Sequence, residues 1–387
     1  MMENHIKYPS LDTPVVLLDM NRLEANIDEM SRLASEAGVK LRPHTKVHEC
    51  PEIARMQVAA GACGIEVGTV DRAEVMVEAG IRDIIIAHPF YGELKMDCFK
   101  RILLKPGVNV AVLTDMIDQA KDISELGERL GKKVPILLKI NTGGNRFGVL
   151  PGEPALDLAR NMRGLRGIEL IGIYAHESGG KPTPEDVERS AYESATAVSE
   201  TARRLRQDGF RIEHVSVGAS PTFRATCRYI REGKFPEITE IHPGQCVIGD
   251  IWHVLSLGNK REACAVTILA AVMSTAQPDY AVIDAGYKAF GNDSLIAYQT
   301  MPGFFWKGRP SFGSVQGRPD LWLGRLSAET ATLSYMDPDM DPSKRLRLGG
   351  RIEIVPNNST LVISLHHKIY GVRNGGIERE FTITRKE

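Results

Sequence analysis

Through most of this chain, short β-branched runs alternate with helical stretches of about 10–20 residues, a pattern that calls for parallel strands joined by crossover helices. PVVLLD at 14–19 reads as a strand. Residues 21–37 follow as an amphipathic helix, with Leu23, Ile27, Met30 and Leu33 at three- and four-residue spacing. Strand patterns recur at 39–46, 64–69, 83–88, 109–114, 134–141, 168–175, 211–217 and 237–242. Helical patterns at 51–60, 71–79, 116–130, 153–162, 184–207 and 221–231 separate them. Nine strands are one more than a closed (β/α)8 barrel needs. An open doubly wound sheet is the rival, but it wants a glycine-rich first turn, and none follows Asp19. The expected fold class is therefore α/β. Eight strands between residue 39 and about 245 form a TIM-like barrel, and the strand at 14–19 is left for another sheet.

After about residue 255 the texture changes. ACAVTILAAVMS, YAVIDAG, RIEIVP and TLVISL are β-type runs separated by Gly, Pro and Asp, with almost no helical pattern. The expected organisation is a barrel at 20–254, with a β-rich domain made of 255–387 together with 1–19. Gly291 to Arg318, rich in Gly, Pro and aromatics, reads as a loop that covers something.

The 387 residues carry 48 Lys+Arg against 49 Asp+Glu, a net charge of −1. Nucleic-acid binders draw much of their affinity from a basic excess, so that partner is not expected. The first residues, MMENHIKYPS, lack the apolar segment of a secretory signal, and no run approaches the roughly 18–20 apolar residues that span a bilayer. Six cysteines (50, 63, 98, 227, 246 and 264) show no CxxC spacing and read as free thiols, which points to the cytoplasm.

Four polar segments sit at strand ends, where barrel active sites gather. RPHTKVHE, Arg42 to Glu49, places Lys46 between two histidines. A desolvated lysine there can form a Schiff base, although a solvated strand end accounts for the octapeptide equally well. KINTGGNRFGV, Lys139 to Val149, offers Arg146 as a permanent cation for an anion or phenolate. VSVGASPT, Val215 to Thr222, is a small-residue loop leading into a helix, and HPGQC, His242 to Cys246, is a second glycine loop after the last strand. Backbone N–H groups in such loops can cradle a phosphate.

A reactive lysine, an arginine and a phosphate cradle together point to pyridoxal 5′-phosphate (PLP). The chain resembles the fold-type III PLP enzymes with an alanine racemase-like barrel, and within them the D-threonine aldolase / D-serine dehydratase group. TPVVLLD, LRPHTKVHECPEIARMQ, NTGGNRFGV, GIYAHESG, VSVGASPT, EIHPGQC, VIDAGYKA and VPNNSTLVISLHHKIYGVRNG match in family order from residue 13 to 375. The resemblance implies that Lys46 is the Schiff-base lysine and that Arg146 contacts the cofactor's phenolic oxygen. It implies phosphate loops at Ser216, Gly218, Ala219, Ser220 and Gly244, and puts His242 opposite the pyridine nitrogen. His44, Tyr174 and Gln245 complete the cofactor-binding set. It further implies that the strand at 14–19 joins the C-terminal β domain and that the protein is a homodimer with its site at the interface.

The sequence departs from the group where it holds a divalent metal. The two ligand positions after VP carry Asn358 and Thr360, and the upstream histidine position carries Thr330. An amide and a hydroxyl are poor replacements for imidazole and thiolate or carboxylate, so the family metal site is expected to be missing. His366 and His367 are the nearest remaining candidate ligands. A protein acid or base would then serve the substrate's β-hydroxyl, with His176, His48, Cys246 or a residue of the β domain as candidates. Cys246 stands where the group has a tyrosine, and Glu49 where it has a second lysine. The leading function is a PLP-dependent lyase acting on a D-configured or β-hydroxy amino acid, by retro-aldol cleavage or by β-elimination. An amino-acid racemase or epimerase is the alternative, and a non-catalytic PLP-binding protein is a third reading.

Overall fold

The computed structural model describes residues 7–177, 183–257, 263–294 and 305–383. It divides into two compact units, one of Ile27–Cys246 and one of Met1–Asn26 with Val247–Ile383. In chain order it begins with β1 (Val15–Asp19) and α1 (Met20–Glu36), the helix that crosses from one unit into the other. There follow β2 (Lys40–Leu41), α2 (Pro51–Ala59), β3 (Ile65–Val67), α3 (Val70–Glu78), β4 (Asp83–Ile86) and α4 (Glu93–Leu103). The barrel continues with β5 (Asn109–Thr114), α5 (Ile117–Leu130), β6 (Val134–Ile140), α6 (Glu153–Asn161), β7 (Ile168–Ala175), α7 (Pro184–Gln207), β8 (His214–Val217), α8 (Phe223–Arg231) and β9 (Glu240–Ile241).

These eight strands pair in parallel in the order β2-β9-β8-β7-β6-β5-β4-β3. The ring closes through a parallel bridge between His44 and Glu66, with Cys63 N–H donating to Leu41 O and Glu66 N–H to Pro43 O, each at 2.9 Å. Two cores result from the two-residue period of a strand. Ile65 and Val67 of β3, Ile136, Leu138 and Ile140 of β6, Ile173 and Ala175 of β7, and Val215 and Val217 of β8 point outward into the layer packed by the helices. The residues between them point inward, where Ile85, Ala111, Leu113, Leu137 and Tyr174 fill the lumen. The same alternation drives Glu66, Lys139 and Ser216 inside.

The strand expected at 39–46 is shorter than its pattern. After Leu41 the chain leaves regular pairing and turns as a 3-10 helix, Thr45–Val47. Thr45 Oγ1 donates to Glu66 O (2.9 Å) and His44 Nδ1 accepts from Lys46 N (3.2 Å), and these local bonds favour the turn over a ladder.

In the other unit, α9 (Ile251–Leu257) precedes β10 (Val266–Ser274), β11 (Tyr280–Ile283) and α10 (Tyr287–Phe290). Then come β12 (Phe305–Trp306), β13 (Arg309–Pro310), β14 (Gly313–Val315), β15 (Leu321–Leu326), β16 (Ala331–Tyr335), β17 (Arg351–Pro356), α11 (Ser359–Leu365), β18 (Lys368–Arg373) and β19 (Gly376–Thr382). A nine-stranded sheet runs β15-β16-β11-β10-β1-β18-β19, with β17 pairing β10 and β14. The leftover N-terminal strand thus lies between β10, antiparallel, and β18, parallel.

Two expectations fail here. TLVISL lies in α11, not in a strand: Asn358 caps the helix by accepting from Leu361 N (3.2 Å), and Val362 and Ile363 are buried while Leu361 and Leu365 stay exposed. Segment 291–318 is not loop throughout, since β12, β13 and β14 lie in it; residues 295–304 lie outside the described residues.

Close packing makes one barrel position testable. A Cβ on Gly172 of β7 would stand 2.1 Å from the carbonyl oxygen of His214, which is backbone and cannot yield. Gly172→Ala is expected to cost about 1–3 kcal/mol. An unchanged urea midpoint would mean that β7 and β8 do not pair in this register.

Candidate active site

Lys46 leaves the 3-10 turn at the C-terminal end of the first barrel strand. Its ammonium makes no hydrogen bond or ion pair with the described residues. Burial pushes its pKa below the usual lysine range; the Glu66 charge opposes that shift and the Arg146 charge adds to it. Glu66 of β3 is fully buried, and burial raises its carboxyl to about 7 against the pull of Tyr174, Lys139 and Lys46. The Tyr174 hydroxyl faces that carboxyl, yet neither carboxyl oxygen completes a well-formed hydrogen bond. Lys139 of β6 is buried too, and its pKa falls to about 7, chiefly from burial. Its Nζ lies 4.0 Å from the centre of the Tyr174 ring and donates to Ala87 O at 3.2 Å.

A second buried row starts at Arg42. Its Nε donates to Glu240 Oε2 (3.0 Å), Ser216 Oγ donates to Glu240 Oε1 (3.2 Å), and Ser216 Oγ meets His242 Nδ1 at 2.8 Å. Because Ser216 gives its proton to a carboxylate, it accepts from Nδ1–H, and that choice leaves His242 Nε2 as an acceptor. The His242 ring stacks on Tyr174 with centroids 4.0 Å apart and planes at 14°. Nε2 is buried without a well-formed partner, although the Gly218 backbone lies beside the ring. Burial first, and the neighbouring histidines and lysines second, hold His44 and His242 well below the usual histidine range; His176 falls to about 3 from burial and the Lys46, Lys139 and Arg146 charges.

The two glycine loops meet beside this row. Gly218 has φ +137°, and Ser220 Oγ accepts from Gly244 N (3.2 Å) and Cys246 N (3.1 Å), which ties one loop to the other. A Cβ on Gly244 would stand 2.7 Å from His44 O, so the loop needs glycine to close this far. Ala219 is buried in the first loop, and Gln245 follows Gly244 in the second. Arg146 is exposed, near its neighbour Phe147, and its charge reaches Lys46, Lys139 and His176.

His48 stands apart from this group. Its Nδ1 accepts from Cys50 N (3.1 Å), its Nε2 meets Gln57 Oε1 (3.3 Å), and the ring has no exposed surface. Those bonds make it a brace for the start of α2. Cys246 is buried, and burial raises its thiol to about 12, which leaves it protonated at neutral pH. Glu66, Lys139, Arg42 and Glu240 carry much of the electrostatics, and the motifs gave none of them a role. The signal was a charged residue inside an apolar strand, Ile65-Glu66-Val67 and Leu138-Lys139-Ile140.

The barrel mouth thus gathers Lys46, Lys139 and Arg146 around one buried carboxyl, beside an unsatisfied imidazole acceptor and a glycine cradle. That excess of cations and open polar atoms fits a phosphate-bearing aldehyde such as PLP. At the metal positions of the second unit, Asn358 Oδ1 accepts from Leu361 N and its Nδ2 donates to Asp293 Oδ2 (3.0 Å). His366 Nε2 meets Ala289 O at 3.1 Å. Among the described residues, no three of His, Cys, Asp and Glu stand together as a metal site.

Known proteins are similar to this chain in sequence and fold. Residues 18–251 match the family model "Alanine racemase, N-terminal domain", and 265–372 match "Putative serine dehydratase domain". A D-threo-3-hydroxyaspartate dehydratase of Delftia sp. is 30% identical over 90% of this chain and 91% of its own. A solved structure of that dehydratase, a cysteine-to-alanine mutant in the metal-free form, superposes with a TM-score of 0.86 at 27% identity over 98% of this chain and 99% of the other. The D-threonine aldolase of Filomicrobium marinum gives a TM-score of 0.84 at 28% identity, over 98% and 96% of the two chains. The chain belongs to the fold-type III PLP family, with an alanine racemase N-terminal domain followed by a serine dehydratase domain.

Proposed function

We propose that this protein is a PLP-dependent lyase that acts on a D-configured β-hydroxy amino acid. One observation carries the reading: the half-buried Lys46 amine has no partner among the described residues, in a cationic barrel mouth that also holds an unsatisfied His242 Nε2. Aldolases and dehydratases among its relatives support a lyase over a racemase. When bound, PLP supplies the electron sink that makes bonds at Cα labile.

The chain's own residues do the rest. Lys46 would hold the cofactor at its aldehyde carbon, and its amine would carry a proton to or from the substrate's Cα. Arg146 would meet the phenolic oxygen as a permanent cation. The loops at Gly218–Ser220 and Gly244 would hold the phosphate, with Gln245 and His44 completing the set. His242 Nε2 would accept from the cofactor's ring nitrogen, in the tautomer that the Ser216–Glu240 bond favours. Tyr174 stacks on His242 and keeps that ring in place. His176, half-buried at the end of β7, stays in reach of the same space.

The reading also takes the protein as a cytoplasmic homodimer. Among the described residues no helix is long and apolar enough to cross a membrane, and the six cysteines are unbridged. We further propose that the reaction runs without a divalent metal at the family position, because Asn358 spends its amide on a helix cap and on Asp293.

Three outcomes test this. Lys46→Ala should abolish the visible absorbance of lysine-bound PLP, and a band that survives would assign the anchor elsewhere. Exhaustive dialysis against chelator should leave turnover of D-β-hydroxy amino acids unchanged; loss of activity restored by manganese would refute the metal-free reaction. Glu66 raises the Lys46 pKa, so Glu66→Gln should let it fall further. Recombination of the apoprotein with PLP needs the free amine, and its pH limb should therefore move to lower pH in that variant. A limb that stays or moves up would contradict the charge placement.

A further inference from the structure

His88 is an imidazole at the barrel mouth to which neither the motifs nor the cofactor set gives a role. It follows β4, with its N–H donating to Gly68 O at 3.1 Å, while Lys139 Nζ holds the carbonyl of Ala87 just before it. Both ends of this short segment are thereby fixed. The ring is half-buried and packs on Phe147, with centroids 5.4 Å apart and planes at 31°. It also lies over Gly68: a Cβ there would stand 3.4 Å from His88 Cε1 and 3.9 Å from His44 Cε1. Gly68 thus lies in van der Waals reach of both imidazoles. Neither ring nitrogen of His88 has a hydrogen-bond partner among the described residues.

Four other histidines sit near the barrel mouth, and geometry separates His88 from each. His48 has both nitrogens engaged, His44 Nδ1 accepts from Lys46 N, and His242 belongs to the Ser216–Glu240 row. His176 opens with Arg146 and Lys139 onto about 10 Å³, room for one water. His88 shares with Lys46, Glu49, Gly68 and Arg72 a cavity of about 380 Å³, the size of a small-molecule pocket.

We propose that His88 is the catalytic base for the substrate's β-hydroxyl, an inference that rests on the lyase reading above. The hydroxyl proton passes to a ring nitrogen of His88 as the Cα–Cβ bond breaks. The O–H electron pair becomes the new C=O bond of the departing aldehyde, and the Cα–Cβ pair stays on Cα, drawn into the cofactor. Lys46 then donates a proton to Cα to give glycine, while His88 returns its proton to solvent and Lys46 recovers one from it. The environment supports acceptance over donation. Burial, then the Lys139, Arg146, Lys46 and Lys95 charges, hold His88 down at about 4, so the ring is neutral at pH 7. Expulsion of the hydroxyl as water would need the opposite, a group that arrives protonated. His88 therefore favours aldol cleavage over dehydration.

The test compares two reactions of the holoenzyme in wild type, His88→Asn and His88→Gln. One is aldehyde release from D-threonine and D-3-hydroxyaspartate. The other is deuterium exchange at the α-carbon of glycine, which needs Lys46 and PLP but no β-hydroxyl. Both variants should lose about 10²–10⁴-fold in aldehyde release while keeping lysine-bound PLP absorbance and glycine exchange near wild type. Cleavage at the wild-type rate, or loss of exchange in parallel with cleavage, overturns the role of His88. A wild type that makes only 2-oxo acid and ammonia also overturns it, and leaves the lyase reading standing. A wild type that exchanges glycine but consumes no β-hydroxy amino acid overturns both.

Discussion

Glu66 has no exposed surface, and it shares the barrel lumen with Lys46 and Lys139; the chemistry of the mouth turns on how that burial is settled. Charge removed from water is costly unless it is paired and hydrogen-bonded, and here neither carboxyl oxygen has a well-formed partner. Protons move instead. Burial raises the Glu66 carboxyl to about 7 and lowers the Lys139 amine to about 7, and each charge opposes the other's shift. Lys46 feels the balance directly, because the Glu66 charge raises its pKa against the larger lowering by burial. The pKa of Lys46 is thus tuned by a residue on a different strand.

The barrel makes this tuning possible through strand alternation. An inward position is fixed by parity along β3, β6, β7 and β8, so Glu66, Lys139, Tyr174 and Ser216 reach the lumen from four strands without any loop to place them. The Arg42–Glu240–Ser216–His242 row works in the same way on the other side. Each member orients the next, and its last bond decides which nitrogen of His242 carries the proton. Loops supply only what strands cannot, a backbone close enough to take a phosphate, and Gly244 permits it by its missing Cβ.

The architecture was legible because parallel barrel strands are covered on both faces and read as near-continuous apolar runs. Nine such runs against a ring of eight sent the first to the other sheet, where β1 lies between β10 and β18. Motif and family resemblance singled out Lys46 and Arg146, and the structure brings the charge of Arg146 to bear on Lys46. TLVISL was misread because six apolar or β-branched residues fit a strand and a buried helix equally well; the decision lay upstream, in the Asn358 cap and in the bonds from Ser359 to Asp250. His48 stands away from Lys46's surroundings, bonded to Gln57 and Cys50, because adjacency in sequence does not say which way a turn points a ring. Glu66 and Lys139 escaped notice because a single charge in an apolar strand has meaning only once the strand's inward face is known.

A cation and an imidazole treat a β-hydroxyl differently, and the difference bears on how this chain departs from its group. A metal ion lowers the pKa of an oxygen it binds and keeps it in place, so its ligands must be anionic or strongly donating. Asn358 and Thr360 offer neither, and the Asn358 oxygen is committed to α11. An imidazole removes the proton itself, and for that it must arrive neutral. The three cations that ready the mouth for a phosphate cofactor also keep His88 in that state, with burial as the larger cause.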